Sequence, residues 1–455
     1  MAVLPFENLS GDPKQAYFSD GITVEILNAL AQIPDLKVAG RTSAFHFSSR
    51  DANLRQIGAT LGVANVLEGS VQKAGDEVRI NVQLVDTRTG YQVWSEKYDR
   101  KLTNIFAIED EISNAIAGKL RVQLTGGAGQ ALVAQHAIDP RAHDFYLRGL
   151  ALLAARGSGL RDAVAAFQSA LKIDPGYAQA WGAMAEAQAL YPDYRLGTMP
   201  AAFASALADA QRALSLNPDI ASAYVVQGMV YKNQWRWPEG DGAFRHALAL
   251  APNDAEAMNQ YAQFWLACDQ LSLALAQIER AQQLDPLSAV IATIHGQILF
   301  AMHRYQAASA QISRALAINP KFNLAHAGAA FIDAQAGRLP QALVQARLTG
   351  LPPSFAMTIR GMADPALRGK VLRELDTSPS LAKLRGTITY AGLLMSLGAR
   401  DRALDVLENI AADRATTHPN GIWRPAFDPI RNDPRFKALL KKMGLPYTPK
   451  DAAAP

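Results

Sequence analysis

The sequence predicts an α+β amino-terminal domain, a mixed sheet with helices, followed by an all-α solenoid of helical hairpins. Three observations predict it. The first ~120 residues mix a two-residue hydrophobic period with a helical one. Five proline-ended phrases recur between Pro175 and Pro320. A small-residue stretch, "QLTGGAGQALVAQ" (123–135), separates the two regimes, as domain linkers do. The expected division is an α+β domain over 1–124 and a linker over 125–140. Repeats follow over 141–350, then degenerate helical repeats and a capping segment over 351–455.

In chain order, "AVLPF" (2–6) reads as a buried strand. "DGITVEILNALAQI" (20–33) reads as a helix, with Ile22, Ile26, Leu27, Leu30 and Ile33 on one stripe and Asp20 or Ser19 as its cap. "LKVAGR" (36–41) suggests a second strand. "ANLRQIGATLG" (52–62) suggests a short helix stopped by Gly62. Across 63–99, Val78, Ile80, Val82 and Leu84 alternate with Arg79, Asn81 and Gln83, the mark of a half-exposed strand. Turns at "AGDE" and "TRTG" divide that stretch into three antiparallel strands. Over 103–120, Ile105, Ile108, Ile112, Ile116 and Leu120 restore the helical stripe.

The phrases of the second region end at Pro175, Pro218, Pro252, Pro286 and Pro320, with steps of 43, 34, 34 and 34. Between Pro218 and Pro252 stand Tyr224, Gly228, Tyr231, Phe244 and Ala247. The next unit places Met258, Ala262, Trp265, Ile278 and Ala281 there, and the one after it Ala292, Gly296, Leu299, Ile312 and Ala315. Small residues let paired helices approach, large ones fill the gaps between pairs, and proline sets the joint. The period and pattern are those of the tetratricopeptide repeat. The nine extra residues of the long step fall at "LYPDYRLGTM" (190–199), a loop between two helices. An earlier pair lies at about 141–174 and a degenerate one after Pro320. "PPSFAMTIRGMADPALRGK" breaks the period. Helical patterning returns at 386–412, with Gly398 closing the first helix, before a short cap.

"AVLPFENLSGDPKQAYFSDGI", "LKVAGRTSAFHF", "IGATLGVANVLEGSVQKAGDEVRINVQLVDTRTGYQVWSEKYDR" and "IFAIEDEI" resemble the TolB-like amino-terminal domain of bacterial multi-domain regulators. There it is followed by tetratricopeptide repeats, which "WRWPEGDGAFRHALALAPNDAEAMNQYAQF", "AQQLDPLSAV" and the ending "DPIRNDPRFKALLKKMGLP" resemble in turn. The resemblance implies a signal-relay module attached to an output domain. That output is an adenylate or guanylate cyclase of class III, a CadC-like winged-helix DNA-binding domain, or a kinase. No such output domain is read in this chain, which starts inside a strand, and the expectation is that an upstream module is missing.

Composition narrows the chemistry. The 455 residues are 49% hydrophobic and 19% charged, with a net charge of +4. That is globular and nearly neutral, and gives no reason to expect direct nucleic-acid binding. The densest basic stretch, 431–444, reads as a solvated terminal helix. Cys268 is the one cysteine, which excludes an internal disulfide and multi-cysteine zinc sites. No apolar run reaches the ~20 residues of a membrane span, and "MAVLPF" lacks the features of a signal peptide. The expected compartment is cytoplasmic, or periplasmic if an upstream span has been removed.

No catalytic constellation is legible. "ENLSGDP" lacks the lysine-bearing phosphate-loop pattern and holds Asp12, so it reads as a bend. "TGGAG" (125–129) reads as linker. The histidines (His46, His136, His143, His246, His295, His303, His326 and His418) include no metal-binding helical pair, and His295 and His326 read as packing or groove residues. Glu109, Asp110 and Glu111 are consecutive and do not share a helix face. Cys268 has no histidine beside it to activate it. Trp235 and Trp237 read as interlocking packing residues. The expectation is therefore a non-enzyme with no cofactor and no metal.

What remains is a groove lined by the first helices of the repeats. Its candidate peptide-binding residues are Lys232, Asn233, Glu256, Asn259, Gln263, Thr293 and Gln297, an amide-rich set suited to the backbone of an extended peptide. The basic cluster that holds a terminal carboxylate in chaperone-binding relatives is not matched, since Val225 and Asn259 occupy its positions. The expected partner is a protein or peptide. Two other readings stay open: a nucleotide or small-molecule sensor in the first domain, and a scaffold that self-assembles, as a homodimer for instance, through an exposed sheet edge.

Overall fold

The computed structural model describes residues 1–47, 53–75, 77–101, 111–112, 114–116, 118, 138–194, 196–349, 353–412 and 419–448. Most of the helix expected over 103–120 and of the linker expected over 125–140 lies outside them, with Glu109, Asp110, His136 and His418. The described chain is mostly helical, with a small amino-terminal mixed sheet and a helical-repeat solenoid. It divides into two compact units. The first holds Met1–Gln227, Ala243–Ala257 and Gln283–Leu287; the second holds Gly228–Gly242, Met258–Gln282 and Ser288–Pro455.

In the first unit the sheet runs β1 (Ala2–Val3), β3 (Asn65–Ala74), β4 (Glu77–Asp86), β5 (Gln92–Lys101), and β2 (Glu7–Asn8) also pairs with β3. β1 and β2 are parallel to β3, while β3, β4 and β5 are antiparallel. Val78, Ile80, Val82 and Leu84 are buried, as their alternation requires. Helices α1 (Ala16–Ala31), α2 (Arg41–Phe45) and α3 (Leu54–Leu61) accompany the sheet. α3 ends at Gly62 with φ 65°, the left-handed cap its glycine suits.

Two local expectations change. Residues 36–40 are not a strand: β1 is two residues long, so only Met1 and the Lys37–Ala39 backbone exchange hydrogen bonds. α1 starts at Ala16, earlier than a cap at Ser19 or Asp20 would place it. Asp12 caps a short 3-10 turn, Pro13–Gln15, by accepting from the Lys14 N–H, and that turn leads into the helix.

The repeats begin with α4 (Pro140–Ala155) and α5 (Gly159–Ile173), then α6 (Ala178–Ala189) and α7 (Met199–Leu216). Next come α8 (Ala221–Asn233), α9 (Trp237–Leu250), α10 (Ala255–Ala267) and α11 (Leu271–Leu284). In the second unit follow α12 (Ala289–Ala301), α13 (Tyr305–Ile318), α14 (Asn323–Gln335) and α15 (Leu339–Leu348). α16 (Pro353–Ala363), α17 (Arg368–Thr377), α18 (Ile388–Ser396), α19 (Arg400–Ala412) and α20 (Pro434–Met443) complete it. Tight pairing needs small residues where helices cross. A Cβ on Gly149 would stand 2.4–2.8 Å from the Phe167 ring.

The joints show why Asp or Asn precedes proline. The residue before proline is pushed out of the helical region, and its side-chain oxygen then caps the bend. Asp174 accepts from the Gly176 N–H at 3.0 Å, Asn217 from Asp219 at 2.9 Å and Asn319 from Lys321 at 3.0 Å. Two joints depart from this scheme, and both serve the α+β elements. Ala251 has no such oxygen, and Asn253 bonds the carbonyls of Ala31 (backbone N–H, 3.4 Å) and Ile33 (Nδ2, 2.9 Å). At the next joint the Ser43 hydroxyl enters the bend. It donates to Asp285 Oδ1 and accepts from the Leu287 N–H at 2.8 Å, while the Ser43 N–H donates to the same carboxylate at 2.7 Å.

Further contacts fix α1 against α4. The Tyr17 hydroxyl and Lys73 share Asp144, and the Tyr146 hydroxyl donates to Glu25 at 2.9 Å. Gly21 lets the helices close: a Cβ there would lie 2.7–3.0 Å from Leu147, backbone included. In the second unit the carboxyl-terminal segment folds back on the central repeats. Trp237 Nε1 donates to the Met443 carbonyl at 2.7 Å, Trp423 Nε1 donates to Ala267 at 2.8 Å, and Tyr447 stacks on Trp265.

Candidate functional site

The groove residues divide by burial. Lys232 and Asn233 are 3% and 5% exposed, Asn259 and Thr293 are fully buried, and Glu256, Gln263 and Gln297 are half-buried. Helical back-bonds occupy Thr293, whose hydroxyl donates to the Ala289 carbonyl at 2.7 Å, and Asn233, whose amide donates to Met229 at 2.8 Å. Gln263 donates to Gln260 and accepts from Asn420 of the folded-back segment, both at 3.3 Å. The amide of Asn259 finds no hydrogen-bond partner among the described residues. The wall around α10 is thus partly covered by the chain itself.

Glu256 belongs to the first unit, in an ionic cluster that sequence reading did not find. Arg156 lies 3.6 Å from both Glu186 and Glu256, and Arg41 lies 4.0 Å from Glu186. Arg156 holds φ 59°, a left-handed conformation unusual for a side chain of its size. Asp254 caps α10 by accepting from the Glu256 and Ala257 N–H groups. Burial, with Glu186 and Glu256 nearby, pushes its carboxyl up to about 6.

The open part of the wall lies in the second unit, between α12 and α14. A shallow recess, open to solvent, has Phe300, Ile312, Leu324, Phe331 and Ile332 as its apolar lining and Gln297 on its polar side. A second shallow recess shares Phe300 and Phe331 and continues past Gln335, Thr389 and Ser396. Arg424, from the segment between α19 and α20, lines both. Gln297 is the one groove candidate that the structure brings to these recesses. The aromatic and arginine residues were missed because Phe300 and Phe331 stand off the repeat's signature positions and Arg424 lay in a segment read only as a cap.

The remaining chemistry-bearing residues have structural partners. Burial, with Lys73 second, pushes His143 down to about 3, and its Nδ1 lies 2.9 Å from the Tyr177 hydroxyl. His295 and His326 pair with Gln282 and Gln345 at 2.7 Å, which ties first helices to second helices. Burial pushes the Cys268 thiol up, the opposite of activation. In "ENLSGDP", Asn8 accepts from the Ser10 N–H and donates to the Asp12 carbonyl, so the loop is a self-bonded bend. Among the described residues, no group of three or more His, Cys, Asp or Glu is placed to hold a metal ion. No described helix is long and apolar enough to cross a membrane.

No family model matches the chain. A curated relative, "Putative adenylate cyclase 3" of Rhizobium meliloti (strain 1021), is 41% identical over 181 residues, which make up 40% of this chain and 31% of the relative. The chain therefore spans about a third of the length of that relative. Among solved structures, a human IFIT1 dimer with PPP-AAAA is 17% identical, over 74% of this chain and 78% of that one, with a TM-score of 0.45. PilW, a type IV pilus biogenesis factor, is 17% identical over 52% and 94%, with a TM-score of 0.35. YrrB, described as a TPR protein with an unusual peptide-binding site, is 21% identical over 46% and 98%, with a TM-score of 0.30.

Proposed function

We propose that the chain is a non-enzymatic helical-repeat module. It binds a protein or peptide on the inner wall of its repeats and relays that state to the catalytic or DNA-binding part of a larger regulator. The observation that carries this reading is the α12–α14 recess. Its walls come mainly from first helices of successive repeats, it offers a shallow apolar surface beside amide and hydroxyl groups, and an extended peptide uses both. The regulatory setting is supported by the TolB-like resemblance and by the relative whose printed name assigns it a cyclase.

The test uses the full chain, immobilised, and a library of random peptides of about 10 residues, long enough to cross one such trough. Peptides retained by the chain should be lost from Ala327→Trp, which fills the recess. Retention that ignores Ala327→Trp, or no retained peptide at all, ends this reading. Nucleotide sensing by the α+β elements is a second reading, which rests on the same relative's name. A nucleotide at 100 times its Kd would add about 2.7 kcal/mol of stability, so melting with ATP, GTP and cyclic AMP separates the two.

A further inference from the structure

We propose that the recess reads carboxylates: the Arg424 guanidinium takes the side chain of an Asp or Glu within an extended partner peptide, while Phe300 and Phe331 hold an apolar side chain beside it. The inference rests on the peptide-groove reading above and names the chemistry of the ligand.

Arg424 stands apart from its neighbours. In the same unit Arg338 pairs with Asp333, Arg400 with Asp433, Arg402 with Asp376, Arg431 with Asp428, and Arg435 with Asp405 and Glu408. The Arg424 side chain has neither hydrogen bond nor ion pair among the described residues; its one contact of note is the Phe331 ring, 5.7 Å from the guanidinium carbon to the centroid. Its backbone is fixed on both sides, by a 3.4 Å bond to the Gly421 carbonyl and a 3.0 Å bond from the Phe427 N–H. Burial works against its charge, and no carboxylate among the described residues offsets that cost. Neither recess has an Asp or Glu among its described lining residues, which leaves the guanidinium open to a carboxylate from a partner.

Geometry selects the ligand. Arg424 lines both recesses, which also share Phe300 and Phe331, so the open surface extends beyond it, and an extended chain can pass it rather than end at it, which favours an internal acidic side chain over a terminal carboxylate. A guanidinium fork matches a carboxylate in a bidentate way. A nucleic-acid backbone would call for several cations in the lining, and among the described residues there is one. The arginine comes from the capping segment and not from a repeat helix, which is why reading the repeats alone, with Lys232 as its cationic candidate, did not find it.

The test selects peptide libraries, displayed with blocked and with free carboxyl termini, on the full chain and on Arg424→Gln in parallel. The expected result is enrichment of Asp or Glu next to Leu, Ile, Met or Phe on the parent, and depletion at least tenfold on the variant. A selected peptide remade with the corresponding amide should bind at least tenfold more weakly to the parent and equally to the variant. Arg424→Gln should melt no lower than the parent, because it removes an unpaired charge. Identical peptides on both chains overturn the carboxylate site and leave the groove reading standing. No peptide on either chain overturns both. Enrichment confined to free carboxyl termini, or binding of a single-stranded RNA dodecamer that Arg424→Gln abolishes, also overturns the proposal. Should Arg424→Gln fail to fold, Arg424→Lys decides: it keeps the charge without the fork, and unchanged affinity for the acidic peptide overturns the site.

Discussion

Replacing Asp285 by alanine tests how the amino-terminal elements are held to the repeats. Its carboxylate is 6% exposed and accepts from the N–H and the hydroxyl of Ser43, 242 residues away in sequence. Charge-assisted hydrogen bonds are worth about 1.5–3 kcal/mol each. Against them stands the cost of burying the charge, which raises this carboxyl despite its donors and is relieved by the substitution. The balance is a loss of about 2–3 kcal/mol, since the Ser43 N–H is also left without its acceptor. At 2–4 °C per kcal/mol for a body of 150–250 residues, melting of the first unit should fall by about 5–10 °C. Hydrogen exchange should quicken around 36–47. The control is Asn319→Ala: Asn319 makes the ordinary joint bond to Lys321 alone, is exposed, and should lose about 1 kcal/mol or less. If Asp285→Ala costs no more than Asn319→Ala, the inserted serine does not hold the two parts together and the reasoning fails.

Other outcomes follow from the same geometry. Asp254 has a folded-state value raised to about 6, so its ionised form opposes folding; its contribution is largest below about pH 4 and is lost as pH rises to 6. Asp254→Asn keeps the cap and should stabilise the chain by about 1–3 kcal/mol at pH 7.5 and not at pH 3.5, read by urea unfolding at both. Gly21→Val should cost several kcal/mol and loosen α1 from α4, since the Leu147 carbonyl would sit 2.8 Å from a new Cβ; circular dichroism melting would show it. Trp237→Phe loses the bond to Met443 and should cost about 1–2 kcal/mol, with faster protease cleavage after residue 443. Asn259→Leu removes a buried amide that has no partner among the described residues and should leave melting unchanged or raise it.

The parts of the fold written in short-range pattern were legible. The 34-residue step, the Asp/Asn-Pro joints and the alternation of Val78, Ile80, Val82 and Leu84 each depend on neighbours a few residues away, and the structure contains the hairpins and strands they imply. What pattern does not encode is which distant group completes a local device. "LDP" at 284–286 reads like the other joints, yet its carboxylate serves Ser43. The groove positions were chosen as if the wall were free. Asn420 and Trp423 return to α10 from about 150 residues downstream and partly cover it. Gln297 was found because it sits on a first helix; Arg424 was not, because nothing around "WRPAF" signals that its side chain returns to the repeats.

The serine inserted at the 285 joint also bears on the order of synthesis. On the ribosome the strands and helices of the α+β part emerge before the repeats, and the carboxylate that holds α2 is translated more than 200 residues after Ser43. Until then the Ser43 amide and hydroxyl have only water to bond, and Leu4, Ala39 and Ile57 lack the cover that Leu287 gives their cluster. The joint that holds α2 therefore cannot close before the repeat carrying Asp285 has been made, a long-range contact in an otherwise local helical fold.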